Sequence, residues 1–71
     1  MEPYQGAGNR VRIALINEKR IGHAILRVNN NQGVITLNGV VENSASSLLA
    51  EDITRKQTGV VKVINQLTIG K

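Results

Sequence analysis

The apolar positions of this chain recur with two periods, and the switches between them mark five elements. After Asn9, the residues Val11, Ala14, Leu15 and Glu18 fall at helical spacing. Val11, Ile13 and Leu15 also alternate like a strand, but length favours a helix of roughly nine residues. Asn9 reads as its N-cap, and its end falls near Asn17 to Lys19. Ala24 to Val28 alternates as a strand, with Ala24, Leu26 and Val28 on one face and Ile25 and Arg27 on the other. Asn29-Asn30-Asn31-Gln32-Gly33 reads as the loop of a hairpin, with Gly33 at its end. Val34 to Val41 returns, with Ile35, Leu37 and Val41 on one side and Val34, Thr36, Asn38 and Val40 on the other. Gly39 interrupts this strand, as a bulge or a close approach would require.

A second helix follows, capped by Asn43 or Ser44, with Ala45, Leu48, Leu49 and Ile53 as its apolar stripe. Glu51→Arg55 and Asp52→Lys56 are spaced as i,i+4 ion pairs on its wet side, and Thr58-Gly59 ends it. Val60 to Ile69 is the last strand, Val61, Val63, Asn65, Leu67 and Ile69 alternating with Lys62, Ile64, Gln66 and Thr68. The order α-β-β-α-β predicts an α+β fold, a two-layer sandwich with two helices on one face of a three-stranded sheet.

Composition narrows the function. Seventy-one residues make one domain with a thin core, with residues 1–8 read as a flexible lead-in and 9–69 as the folded part. There is no cysteine, and Tyr4 is the only aromatic residue. No apolar run approaches the ~18–20 residues of a membrane span, and Met1-Glu2-Pro3-Tyr4-Gln5-Gly6 lacks the basic and apolar regions of a signal peptide. Nine Lys and Arg against five Asp and Glu give a net charge of +4. Gathered on one face, that charge attracts anionic headgroups or nucleic acid.

The segment Gly33-Val34-Ile35-Thr36-Leu37-Asn38-Gly39-Val40-Val41 resembles the centre of the BON domain, which reads roughly Gly-Val-Val-x-Leu-x-Gly-x-Val. Gly59-Val60-Val61-Lys62-Val63-Ile64-Asn65-Gln66-Leu67-Thr68-Ile69 resembles the closing Gly-Val-x-x-Val-x-Asn-x-Leu strand of that family, named for bacterial osmotically inducible and nodulation proteins. Val11 with Leu15 is similar to its first helix, which favours helix over strand there, and the likeness spans about residues 10 to 69. The three-asparagine loop is longer than the family's usual tight turn. The resemblance implies a non-enzymatic domain of bacterial envelope proteins that attaches them to phospholipid membranes or mediates interaction. The residues themselves leave cytoplasm and envelope both open.

The chemistry-bearing residues agree with a binding role. His23 is the only histidine and has no His or Cys companion, so neither a metal site nor a His-based relay is expected. Ser44, Ser46 and Ser47 open a helix, where capping explains them. Gly33 and Gly39 bracket a strand instead of opening a helix, so they and Gly59 are structural glycines and not a phosphate cradle. No cofactor is expected. Arg10, Arg12, Lys19 and Arg20 are the candidate contacts to an anionic phospholipid surface, the other reading being a solvated helix face. Ile25, Arg27, Val34, Val40, Lys62 and Ile64 share the uncovered sheet face, a candidate surface for a partner protein or a second copy, or simply a half-wet sheet. Nucleic acid is disfavoured, because there is neither a Gly-x-x-Gly loop nor a set of stacking aromatics.

Overall fold

The structure, a computed structural model, describes residues 6–21 and 25–70. Its elements run α1 (Ala7–Ile16), a 3-10 turn (Lys19–Ile21), β1 (Ile25–Asn31), β2 (Val34–Val41), α2 (Ser44–Arg55) and β3 (Lys62–Ile69). The predicted α-β-β-α-β order is the order found. β2 is the central strand, antiparallel to β1 and parallel to β3. The parallel pair needs a crossover, which α2 provides.

α1 starts earlier than expected. Gly6, in the left-handed region at φ 81°, is the N-cap, and Ala7 is fully buried at the first helical position. Asn9 is therefore an exposed residue of the first turn, not the cap. Ala7, Val11 and Leu15 turn one stripe of α1 inward, as the helical reading of Val11 and Leu15 requires.

The hairpin departs from expectation. β1 continues through all three asparagines, in unbroken register from Ile25↔Val40 to Asn31↔Val34. Only Gln32 and Gly33 form the loop, with φ 52° and 90°. Two positive φ values in a two-residue loop make a type I′ turn, whose twist matches the flanking strands. The Oδ1 of Asn30 accepts the Gly33 backbone N–H at 2.9 Å and fixes the turn. The register also passes Gly39 without a slip, so no bulge is present, although φ 132° there still requires glycine.

Asn43 caps α2, its Oδ1 accepting the Ser46 N–H at 2.8 Å. The buried stripe of α2 differs from the predicted one: Ser46, Ala50 and Thr54 point inward, Leu49 and Ile53 are half-buried, and Ala45 and Leu48 are exposed. Two hydroxyls can be buried there because each has a partner. Ser46 Oγ donates to the Ile21 carbonyl at 3.0 Å and Thr54 Oγ1 to the Ala50 carbonyl at 2.7 Å. On the wet side the Asp52–Lys56 pair forms at 3.0 Å. Arg55 also turns to Asp52, at 2.9 Å, and Glu51 instead receives Asn65 Nδ2 at 3.1 Å.

The core is Ala7, Val11, Leu15, Ile21, Ile35, Leu37 and Ala50, with Leu26, Val28, Leu49, Ile53, Val60, Val63 and Leu67 packed around it. Truncating Ile35 or Leu37 to Ala costs about 2–5 kcal/mol, comparable with the ~3–5 kcal/mol that so small a core supplies in all. This core has no redundancy.

Candidate functional site

Two surfaces collect the residues singled out by sequence. The first is α1 with the 3-10 turn. Its buried stripe at Ala7, Val11 and Leu15 fixes what faces outward. At about 100° per residue, Ile13 and Ile16 fall opposite that stripe, with Arg12 on one flank and Arg10 on the other. Ile13 is 59% exposed and Ile16 74%. Neither contributes to the core, and both were missed by the sequence reading, although their i,i+3 spacing off the Val11–Leu15 stripe marks them. Lys19 and Arg20 are exposed just beyond the helix end. The four cations are therefore arranged around an apolar ridge, and not in a single row.

They are not equivalent. Arg20 is tied to Glu18, with Nε donating to Oε1 and Nη2 to Oε2, both at 2.8 Å. The Arg20 backbone N–H donates to the same carboxylate at 3.0 Å. These bonds hold Glu18 down at about 2, the guanidinium contributing most, and raise the Arg20 guanidinium in turn. Glu18 thus neutralises Arg20 and leaves Arg12 and Lys19 outside any ion pair found among the described residues.

Under the ridge, α1 and β1 part from one another. A Cβ on Gly8 would lie 3.2 Å from Asn30 Cβ, so the helix rides close to the strand there. Toward the other end of α1 the two diverge and leave a cleft of about 380 Å³. Leu15, Ile21, Leu26 and Val28 line it, and Ile16, Arg12 and Glu18 complete its walls.

The second surface is the open face of the sheet. Arg27, Lys62 and Val40 are exposed there, Ile64 is at the edge of exposure at 36%, and Val34 is half-buried. Register puts Val34 beside Lys62, Thr36 beside Ile64, and Val40 beside Thr68. Asn38 and Gln66, both exposed, break the aliphatic positions apart. Gly70 presses on Val40: a Cβ at Gly70 would stand 2.5 Å from Val40 Cγ1. The backbone of Ile25 pairs with Val40, and its side chain lies outside the described residues.

His23 also lies outside the described residues. Among the described residues no three His, Cys, Asp or Glu side chains come together as a metal site. No described helix is long and apolar enough to cross a membrane. Ser46 and Ser47 are engaged in structure, Ser46 with Ile21 and Ser47 with Asn65.

A search of curated proteins found no match to the chain. The family model for the BON domain matches residues 8–71, from the second residue of α1 onward. The match takes in both surfaces and every element that positions them, so the chain belongs to the BON domain family, a family of non-catalytic binding domains.

Proposed function

We propose that this BON domain attaches its parent protein or assembly to anionic phospholipid surfaces through the outer side of α1. The observation that carries the reading is the ridge of Ile13 and Ile16, exposed at 59% and 74%, set between Arg10 and Arg12 with Lys19 at its end. An interfacial helix needs this combination: aliphatic residues to dip below the headgroups and cations beside them for the phosphates. The ridge is short, so binding is weak and reversible, and it strengthens where copies assemble.

The test is flotation with anionic and with zwitterionic vesicles while backbone amides are followed by NMR. Binding to anionic vesicles alone, weakening steeply from low to moderate salt and abolished by reversing Arg12 and Lys19 to Glu, is the expected result. Salt-independent binding, or signal loss away from α1, would refute it.

A second reading rests on the sheet. Val40 and Ile64 are exposed at 41% and 36% on a face that neither helix covers, which supports a contact with a second copy or another protein. Sedimentation at rising concentration tests it: association reduced by Ile64→Lys supports the reading, and a strictly monomeric chain removes the self-association version.

A further inference from the structure

The cleft beneath the ridge has a composition that surface attachment leaves unexplained. Its floor is aliphatic and belongs partly to the core, with Leu15 and Ile21 only 4% and 2% exposed. Leu26 and Val28 form the strand wall, and the exposed Ile16 is its lip. Two charged groups border it, Arg12 and Glu18. The Glu18 carboxylate is already bonded by Arg20 through both oxygens, so the net charge presented at the mouth is that of Arg12.

An apolar slot with one unopposed cation at its opening matches one kind of ligand: an aliphatic chain ending in an anion. At about 380 Å³ the cleft is at the small end of the roughly 300–1,000 Å³ typical of ligand sites, suiting part of one chain. We propose that the cleft between α1, the 3-10 turn and β1 holds one acyl chain of an anionic lipid, with the headgroup phosphate on Arg12. This rests on the membrane reading and goes further: the domain takes hold of an individual lipid as well as resting on a charged surface. At Gly8 and Asn30 the two walls come close enough that a Cβ on Gly8 would lie 3.2 Å from Asn30 Cβ, which marks one end of the slot.

The experiment uses the whole chain and dispersed lysophosphatidylglycerols of increasing chain length, each below its micelle concentration, with matching lysophosphatidylcholines. Amide shifts should centre on Leu15, Ile21, Leu26 and Val28. Affinity should rise roughly three- to four-fold per added methylene until the slot is filled. Arg12→Glu should cost about ten-fold, and the choline headgroup, which keeps the phosphate but sets a cation beside it, a smaller factor. Val28→Phe, which fills the slot, should lose the monoacyl lipid while still floating with anionic vesicles. Because that variant alters a half-buried position, Ile16→Ser at the exposed lip is the companion: it should weaken the monoacyl lipid several-fold with an unchanged fold. If affinity ignores chain length, or Leu26 and Val28 stay unshifted while vesicles still bind, the cleft proposal is wrong and surface attachment stands. If neither vesicles nor monoacyl lipids bind, both fail. Monoacyl lipid bound in the slot without vesicle binding would keep the cleft and overturn the surface reading.

Discussion

Arg20 grips Glu18 across a single intervening residue, closing two side-chain hydrogen bonds of 2.8 Å onto the two carboxylate oxygens. The pair withholds one cation from the exposed surface around α1. Glu18→Gln should release it and raise affinity for anionic vesicles about five-fold, the effect of one added cation close to such a surface. Flotation at fixed salt measures this. Unchanged affinity would show that Arg20 stands outside the contact, leaving Arg10, Arg12 and Lys19 to make it.

The same pair sets a pH dependence. Glu18 is held at about 2, below its ordinary value of 4.5. A depressed carboxyl adds stability above its unfolded value, and that contribution fades as pH falls from 4.5 toward 2. Asp52, lowered by Lys56 and then Arg55, acts in the same direction from its own value of 3.8 downward. Urea midpoints should therefore fall on acidification below about pH 4.5, and fall less steeply in Glu18→Gln. Arg20→Ala should return the Glu18 titration, followed by carboxyl NMR, toward 4.5.

Asn65 joins β3 to α2. Its Nδ2 reaches Ser47 Oγ at 3.0 Å and Glu51 Oε1 at 3.1 Å, and its Oδ1 accepts the Leu67 N–H at 2.9 Å. Lys62 and Gly70 donate toward β2, so the odd-numbered N–H groups of β3, that of Leu67 included, face the open edge. Asn65→Leu removes the tie and uncovers that donor. A loss of about 0.5–1.5 kcal/mol is expected in chemical denaturation, since water can take the edge donor, with vesicle binding unchanged; a neutral result would mean the bonds add nothing net.

Gln32 sits at φ 52°, where a side chain longer than Asn is disfavoured. Gln32→Asn should stabilise the hairpin by about 0.5 kcal/mol, and Gly33→Ala, at φ 90°, should destabilise it by about 1–2 kcal/mol. Thermal midpoints moving in opposite directions check the turn geometry, and a drop with Gln32→Asn would contradict it.

Much of the fold was legible because burial imposes a period. Ile35, Leu37 and Val41 on one face of β2 follow directly from residue type and spacing, and the cap of α2 was narrowed to Asn43 or Ser44, of which the structure takes Asn43. The hairpin was misread because asparagine favours turns locally, whereas pairing with Val34, Ile35 and Thr36 keeps all three in the strand. On α2 the eye follows Leu48, yet the helix turns Ser46 and Thr54 inward, since a hydroxyl bonded to a carbonyl is cheaply buried. The cations of the candidate site were visible one by one. Their grouping about Ile13 and Ile16, the neutralising of Arg20 and the cleft beneath were not, because each depends on where α1 lies over β1.

The parallel pairing of β2 with β3 also governs how the domain is made. The β1–β2 hairpin closes through two residues and can form at once, but β2 gains its second neighbour only after α2 has been crossed. A ribosome-bound chain released only as far as α2 would hold a two-stranded hairpin, marginal by itself. Protection of the central amides from exchange should therefore appear together with β3, in one cooperative step, and a protease cutting between Thr58 and Lys62 should unravel the whole domain instead of trimming it.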